Sequence, residues 1–408
     1  MLKVFILQEV LPDFRIPFFN RLGEFVDLTV FYSDATALKR RRAPDLSQVR
    51  SFVACKTPRH AWRGGRLSWH PAMVRKIEEQ KPQVIILEAR LGFLTALYTA
   101  NRFRRRSHII WWLSGYETPA TATIQKLKRL FWRQVFRRAE AFLCYSSAGR
   151  DYLHALGMTQ QVFIAYNSLD TPTLERLRSQ TLAAADWPSR RNLLRRDADL
   201  CLLYVGRIEA AKKLSLLLVA LQKLVARQPG LRVHLRCVGG GEALEHLQEQ
   251  AQALGIADVI EFTGPEYRPE RLAAFFLSAD LFVLPGAGGL AINQAIAYGL
   301  PVVLSAADGS ERDMVQDGEN GLYFCNDDAE DLARQLETLC LDAKMRRRMA
   351  AASLQRSATV SNSHAMLKGF LQAMAAVTGR DLASPSNSDS LGGQLVQKAR
   401  IFDVEHAG

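Results

Sequence analysis

The sequence has few of the residues that commonly hold metals or crosslink secreted proteins. Its 408 residues include six cysteines and eight histidines, and neither set shows the close spacing of a zinc site or of a disulfide framework. Cys144, Cys201 and Cys237 lie in apolar runs, where a buried and reduced thiol is expected. We therefore expect no bound metal, and a reducing compartment such as the cytoplasm.

Long apolar runs are also scarce. The first residues, Met1–Leu7, are followed by Gln8, Glu9 and Asp13 before the run reaches the length of a signal-peptide core. The longest uncharged stretch, residues 281–307, contains six glycine and proline residues, which divide it into strand, loop, helix and strand. We expect neither a secretory signal nor a membrane-spanning helix.

Positive charge is concentrated in the first half of the chain. The net charge is +12, and residues 1–170 carry 27 lysine and arginine residues against 13 aspartate and glutamate residues. The rest of the chain is close to neutral. This asymmetry indicates an anionic partner for the first half, and the candidates are nucleic acid, anionic lipid headgroups and a diphosphate-bearing acceptor.

Short apolar runs alternate with amphipathic helical patterns in both halves. The runs begin at Leu2, Leu28, Val84, His108, Ala141 and Val162, and at Cys201, Val233, Val259, Leu281, Pro301 and Leu322. Such alternation predicts an α/β fold with parallel sheets covered by helices. The strand pattern is lost over residues 172–199, so we predict domains at 1–171 and 200–379, a linker at 172–199 and a flexible tail at 380–408.

Two cations follow the first strand of the second domain. Gly206 and Arg207 end that strand, and Lys212 comes five residues later where a leucine-rich helix begins. Converging cations near a helix N-terminus suit a diphosphate group. A solvated surface arginine and lysine are the alternative interpretation.

Glycine-rich turns follow the other strands of the second domain. Gly286, Gly288 and Gly289 stand between the run at 281–284 and a helix that starts near Leu290. Glycines at a helix start let backbone N–H groups approach a phosphate closely. Similar turns come at 239–241 and at 264–265. The alternative for each turn is tight packing of helix against strand.

In this order the motifs resemble the donor-binding domain of the retaining glycosyltransferases of family 4, which have the GT-B fold. The resemblance covers about residues 202–339, and residues 294–303 match the family block Glu-Ala-Met-Ala-x-Gly-x-Pro-Val-Val. It implies two doubly wound, Rossmann-like domains facing a central cleft. It also implies a sugar donor of the UDP- or GDP-sugar class, retention at the anomeric carbon, no tightly bound cofactor and no required metal.

The resemblance assigns roles to individual residues. Arg207 and Lys212 match the pair that neutralises the departing diphosphate, and we expect them to be catalytic. The expected donor contacts are Gly206, Gly240, Pro265, Gly286, Gly288, Gly289, Leu290 and Gln294.

The chain departs from the family signature of two glutamates separated by seven residues. Gly286 occupies the first position and Gln294 the second. The Gln294 amide oxygen can accept one hydrogen bond from a ribose hydroxyl, whereas Gly286 offers only backbone to the sugar. The identity of the donor sugar therefore stays open.

The first half resembles some polysaccharide-assembly members of the family more faintly. Residues 11–22 look like their first loop and helix, which makes Arg15 an acceptor-side candidate. Ser114 stands where many relatives have a histidine, and Glu117 is a candidate polar substitute.

The resulting hypothesis is a hexosyl- or related glycosyltransferase that elongates a cell-surface glycan, such as a lipopolysaccharide or exopolysaccharide, or a lipid-linked glycan. A nucleotide-sugar 2-epimerase-like enzyme and a non-catalytic GT-B-like binding protein are the alternatives. The basic clusters at 102–106 and 126–138 come with no nucleic-acid-binding module. Beside Phe131, Trp132, Val135 and Phe136, they favour instead a helix lying on an anionic membrane, with the protein peripheral at its inner face.

Overall fold

The computed structural model of the chain describes residues 1–33, 44–115, 121–307, 309–382 and 401–403. Its residues fall into two compact units. Unit 1 takes its residues from Met1–Tyr166 and Ser363–Gly408, and unit 2 is Asn167–Asn362. Each unit is a Rossmann-like α/β domain with its own parallel sheet, so the predicted fold class is confirmed.

Unit 1 is built on a parallel sheet that has eight strands within the described residues. The strands are β1 (Lys3–Leu7), β2 (Asp27–Tyr32), β3 (Val53–Lys56), β6 (Val84–Glu88), β7 (His108–Leu113), β8 (Ala141–Cys144), β9 (Gln161–Ile164) and β16 (Ile401–Asp403), and a separate hairpin is formed by β4 (His60–Trp62) and β5 (Leu67–Trp69). Their order is β16-β3-β2-β1-β6-β7-β8-β9. The central strands are buried almost throughout, as expected of a parallel sheet covered on both faces.

Helices cover both faces of this sheet. They are α1 (Ile16–Gly23), α2 (Pro71–Gln80), α3 (Leu94–Phe103), α4 (Ala122–Phe136), α5 (Ser147–Ala155) and α15 (Ser363–Thr378). One face packs against α1 and α15, where the rings of Phe18 and Phe370 lie 4.9 Å apart. The other face packs against residues of α2, α3, α4 and α5.

Unit 2 contains a parallel sheet of six strands within its described residues. The strands are β10 (Leu200–Val205), β11 (Val233–Val238), β12 (Ile260–Gly264), β13 (Leu281–Leu284), β14 (Val302–Ser305) and β15 (Gly321–Phe324). The helices are α6 (Thr171–Ala183), α7 (Trp187–Arg195), α8 (Leu214–Arg227), α9 (Leu244–Ala253), α10 (Pro269–Ser278), α11 (Leu290–Ala297), α12 (Glu311–Met314), α13 (Ala329–Leu341) and α14 (Ala343–Thr359). Leu214, Leu217, Leu218, Leu221 and Leu224 line the buried face of α8, as their spacing predicts.

Both sheets contain a point at which the strand order reverses. In unit 2 the order is β12-β11-β10-β13-β14-β15, so the reversal lies between β10 and β13. In unit 1 it lies between β1 and β6. The loops that leave the carboxyl ends of the two strands diverge at such a switch point, and ligands of open α/β sheets bind in the crevice that results.

The observed units differ from the predicted domain boundaries. The predicted linker at 172–199 forms α6 and α7, because Leu174, Leu177 and Trp187 are buried against unit 2. The helix α15 belongs to unit 1, where its apolar residues pack on the sheet. Within the predicted tail, β16 pairs in parallel with β3, and residues 383–400 and 404–408 lie outside the described part of the chain.

Candidate functional site

The loops after β10 and β13 meet at the switch point of unit 2. After β10 the chain forms a short 3-10 turn at Ala210–Lys212 before α8. The Lys212 ammonium donates a hydrogen bond to the Ala287 carbonyl oxygen in the loop after β13. Gly286 permits this approach, since a Cβ there would overlap the Ala211 carbonyl oxygen and lie 2.8 Å from the Lys212 Cα atom. The two loops are therefore held against each other at this point.

Backbone hydrogen bonds join the loops after β10, β11 and β12. The Ile208 N–H donates to the Gly240 carbonyl oxygen at 2.9 Å, and the Gly239 N–H donates to the Gly264 carbonyl oxygen at 2.9 Å. A Cβ at Gly239 would overlap the Gly206 carbonyl oxygen, so a side chain would force these loops apart. The loops after four neighbouring strands thus form one continuous surface at the carboxyl edge of the sheet.

Arg207 presents its guanidinium group at this surface. Its side chain is 58% exposed and forms an ion pair with Glu209 at 3.2 Å. The Tyr204 hydroxyl donates a hydrogen bond of 2.7 Å to the Arg207 carbonyl oxygen, which fixes the backbone. Burial raises the pKa of Tyr204, so the phenol stays a protonated donor.

The N-terminus of α11 faces the same edge, because α11 begins directly after the loop that follows β13. Its first turn starts at Leu290, and Gly289 before it has no side chain to cap the free N–H groups. These groups carry the positive end of the helix dipole. A Cβ at Gly289 would lie 3.3 Å from the Ser310 hydroxyl oxygen, so Ser310 borders this turn, although no motif had marked it.

Gln294 lies one turn further along α11 and is half-buried. Its neighbour Asn293 is fully buried and anchors the helix. The Asn293 amide oxygen accepts a hydrogen bond of 2.9 Å from the Leu169 N–H, and its amide nitrogen donates one of 2.7 Å to the Ser361 carbonyl oxygen. The position of α11 therefore depends on a buried side chain that sequence patterns did not single out.

The outer end of the surface carries an exposed aromatic residue that the sequence analysis missed. Tyr267 is 74% exposed and follows Pro265, whose ring would lie 3.5 Å from a Cβ at Gly240. Between them, the Glu266 carboxylate accepts hydrogen bonds from the Arg268 side chain and backbone, which lower the pKa of Glu266 to about 2. The turn is thus fixed by its own ion pair, and the Tyr267 ring projects from it.

The structure brings the donor-side residues of the sequence prediction together. All ten lie in the loops after β10 to β13 or on α11, and they combine two cations, a helix N-terminus and closely spaced backbone groups. This arrangement can hold two adjacent phosphate groups. In the described part of the chain, no group of three or more histidine, cysteine or acidic residues is placed to bind a metal ion. Metal independence and the role of each residue stay predictions.

A second polar cluster lies at the switch point of unit 1 and was also missed. Glu9, which follows β1, is almost fully buried and forms an ion pair with Arg90, which follows β6. The Ser68 hydroxyl donates a hydrogen bond to the Glu9 carboxylate, and the Arg59 Nε atom lies 3.9 Å from it. Since Arg90 remains partly exposed, a buried carboxylate holds a guanidinium group at the surface of this switch point.

Arg15 lies at the same edge of unit 1 but is buried. Its guanidinium group lies 4.2 Å from the centroid of the Trp112 ring and donates a hydrogen bond of 2.9 Å to the Tyr145 hydroxyl. Arg15 therefore packs between aromatic rings instead of extending into solvent. The other acceptor-side candidate, Glu117, lies outside the described residues.

Within the described ranges of the chain, the helices are too short or too polar to cross a bilayer.

Two family models match consecutive parts of the chain. Residues 19–172 match the model described as Glycosyltransferase Family 4, and residues 186–356 match Glycosyl transferases group 1. A D-inositol 3-phosphate glycosyltransferase of Thermomonospora curvata is 40% identical over 186 residues, which cover 43% of this chain and 42% of that protein. The chain thus spans about two fifths of the length of this curated relative.

Solved structures share the fold over nearly all of the chain. HepE of Anabaena, in complex with UDP, is 17% identical with a TM-score of 0.69, over 92% of this chain and all of HepE. A glycosyltransferase from Rickettsia africae is 10% identical with a TM-score of 0.71, over 93% of this chain and 99% of that one. A match to a family 4 glycosyltransferase model is thus followed by a match to a group 1 glycosyltransferase model, in a chain that shares its fold with a solved glycosyltransferase.

Proposed function

We propose that the chain transfers a sugar from a nucleoside diphosphate donor to a hydroxyl of a glycan or lipid-linked glycan. The observation that carries the proposal is the contact between the loops after β10 and β13 at the switch point, where Lys212 bonds the loop that leads into α11. Transfer with retention, without a metal and without a tightly bound cofactor, follows from the family resemblance.

The reaction breaks the bond between the sugar and the diphosphate, so negative charge grows on the departing diphosphate. Lys212 is held beside the α11 N-terminus by its hydrogen bond to Ala287, and both groups stabilise that charge as it forms. When the donor binds, the Arg207 guanidinium leaves Glu209 and pairs with a phosphate oxygen. The exposed ion pair between Arg207 and Glu209 is weak, so breaking it costs little free energy. The cations thus act on the leaving group.

The nucleoside extends from the diphosphate towards the loops after β11 and β12. An exposed tyrosine ring can stack on a nucleobase, and Tyr267 lies at the outer end of this surface. Gln294 offers an amide to the ribose in place of the family's carboxylate. UDP is the first nucleotide to test because HepE, which shares the fold, was solved with it, and GDP is the second.

At Gly286 the donor sugar contacts only backbone atoms, whereas the family signature has a glutamate carboxylate at this position. Because a Cβ at Gly286 would overlap the backbone of Ala211 and Lys212, no side chain fits at this position unless the lysine loop moves. We infer that the position of this loop requires glycine at 286 and so excludes the family's carboxylate there. The donor sugar is then recognised through backbone groups of the turn at 286–289.

The acceptor binds at the switch point of unit 1. Arg90, oriented by the buried Glu9, offers N–H donors to hydroxyl or phosphate groups of an acceptor. The relative from Thermomonospora curvata is named for D-inositol 3-phosphate, so a phosphorylated polyol is an acceptor to test beside glycans and lipid-linked glycans.

The test is turnover of a panel of UDP- and GDP-sugars with these acceptors, followed by NMR of the products. We expect one donor to be consumed, slowly by water alone and faster with an acceptor, and the new bond to keep the donor's anomeric configuration. Lys212→Met should lower kcat at least about a hundredfold, as loss of preorganised charge stabilisation does. The adjacent Lys213→Met is the matched control, because the Lys213 ammonium pairs with Asp327 at 2.8 Å and should change kcat less than about twofold.

Each alternative predicts a different result. A sugar epimerised at carbon 2, either free or still attached to the nucleotide, would favour the epimerase-like enzyme. Binding of a nucleoside diphosphate without consumption of any donor would favour the non-catalytic binding protein. No binding of any nucleotide would refute the proposal.

A further inference from the structure

The outer face of α4 exposes four large apolar side chains to solvent. They are Ile124, Leu127, Leu130 and Phe131, and Leu127 and Leu130 are 61% and 64% exposed. With 3.6 residues per turn, the four side chains occupy one arc of about 120° around the helix. A continuous apolar stripe on a surface helix marks an interaction site.

The inner face of α4 is held by the core of unit 1. Phe136 is fully buried, and its ring stacks on Trp132 at 4.7 Å between centroids and lies 5.7 Å from Trp111. Val135 packs against the same core. Of the four residues that the sequence placed on a membrane-facing surface, Trp132, Val135 and Phe136 therefore serve the core instead, because hydrophobicity alone does not show which side of the helix is covered. Phe131 alone stays on the exposed stripe.

Basic side chains flank the exposed stripe on both sides. On the helical wheel, Lys126 and Arg133 lie along one border of the stripe and Lys128 along the other. The sequence of α4 contains no acidic residue. The stripe is therefore bordered by positive charge along its length.

The basic surface continues beyond the helix. Arg138 follows α4, and its side chain donates a hydrogen bond of 2.6 Å to the Asn101 side chain near the end of α3. This bond brings the end of α4 next to the arginine-rich run at 102–106. Cations at the C-terminal ends of α3 and α4 thus lie next to each other on the surface of unit 1.

We propose that α4 docks on the surface of an anionic lipid bilayer. The apolar stripe enters the boundary between headgroups and acyl chains, and the flanking cations contact the lipid phosphates, as in amphipathic helices that lie in a membrane interface. A nucleic acid would leave the apolar stripe without a partner. A partner protein would need a groove that is apolar at its centre and acidic at its borders. An anionic bilayer supplies both, through its acyl chains and its lipid phosphates. Docking goes beyond the transfer reaction and does not depend on it.

The test is co-sedimentation of the full chain with vesicles of phosphatidylcholine, alone or mixed with phosphatidylglycerol. We expect binding to the mixed vesicles only, and weaker binding at high salt because salt screens the cations. The double variant Leu127→Ser and Leu130→Ser should lower the partition coefficient at least about tenfold, since two apolar side chains no longer gain from burial. Lys126→Gln with Arg133→Gln should lower it by a similar factor.

Matched controls come from unit 2. Leu193→Ser removes an apolar side chain that is 78% exposed on α7, and Lys344→Gln with Arg347→Gln removes two exposed cations of α14. Both controls should bind vesicles like the wild type. Thermal unfolding and turnover of a soluble donor by the leucine double variant should equal those of the wild type, which separates docking from the transfer reaction.

Two results would overturn the proposal. The first is a wild-type chain that does not bind the mixed vesicles. The second is a leucine double variant that binds them as tightly as the wild type. The apolar stripe would then contribute nothing to binding, and the cations alone would bind a polyanion such as a nucleic acid.

Discussion

Adding a single methyl group at Gly286 tests the contact on which the candidate site depends. In Gly286→Ala the new Cβ would overlap the Ala211 carbonyl oxygen and lie 2.8 Å from the Lys212 Cα atom, and both are backbone atoms that cannot rotate away. In Gly288→Ala, two residues later, the Cβ would meet the end of the Leu284 side chain at 2.9 Å. That flexible side chain can move. Neither glycine has a positive φ, so the two variants differ in packing and not in backbone strain.

The size of the effect follows from the cost of overpacking. An extra methyl group forced against fixed atoms costs about 1–3 kcal/mol of unfolding free energy. For a domain the size of unit 2, each kcal/mol lowers Tm by roughly 2–4 °C. We therefore expect Gly286→Ala to lower the Tm of unit 2 by roughly 2–12 °C, and Gly288→Ala to cost less than about 1 kcal/mol.

The assay is differential scanning calorimetry of the ligand-free chain, with urea denaturation as a second measurement. If Gly286→Ala has the same Tm as the wild type and Gly288→Ala, the loops after β10 and β13 are not in contact at Gly286. Gly286→Glu, which restores the carboxylate of the family signature, should melt lower still and should not improve donor binding. A gain in donor affinity in that variant would contradict the packing argument.

Three further residues carry predictions. Asn293→Ala leaves the buried Leu169 N–H and Ser361 carbonyl without their partner, so urea denaturation should show a loss of about 2–3 kcal/mol, and a loss near zero would contradict the anchoring role. Burial, and then the charge of nearby Arg59, lowers the pKa of His70 from 6.5 to about 4. The unfolded chain therefore binds the proton first, and about 2 kcal/mol of stability should be lost between about pH 7 and 5. His70→Asn should lack this loss, and an unchanged pH dependence of its unfolding free energy would refute the assignment. Tyr267→Ala should weaken UDP binding about tenfold by calorimetry, whereas Tyr267→Phe should bind like the wild type because the phenyl ring still stacks. If Tyr267→Ala binds UDP as tightly as the wild type, Tyr267 does not stack on the base.

Local features of the sequence predicted most of the fold and the meeting of the candidate-site residues at one edge of the sheet. Apolar runs such as the one at 281–284 are strands because their residues are buried on both faces of the sheet. The turns after them carry glycine where backbones nearly touch, as at Gly239 and Gly286. Since the carboxyl ends of parallel strands meet at one edge, the order of the motifs was enough to predict that they come together.

Features that depend on distant parts of the chain could not be predicted in this way. The helix α15 has an ordinary apolar pattern, and nothing local shows that Phe370 packs on Phe18 in unit 1. Glu9 and Arg90 are far apart in sequence, and only the pairing of β1 with β6 brings them together. The same holds for the outer face of α4, because its exposure depends on what the rest of the chain leaves uncovered.

Calorimetric titration with nucleotides measures whether the switch point of unit 2 binds a diphosphate. Wild-type chain should bind UDP or GDP at least about tenfold more tightly than the matching monophosphate, because the second phosphate gains the charge-assisted contacts. Arg207→Ala should lose that preference. Arg232→Ala should keep it, because that arginine is similarly exposed but pairs with Asp199 at the opposite edge of the sheet. Equal affinity of the wild type for diphosphate and monophosphate, or no binding of either, would refute a diphosphate site at this switch point.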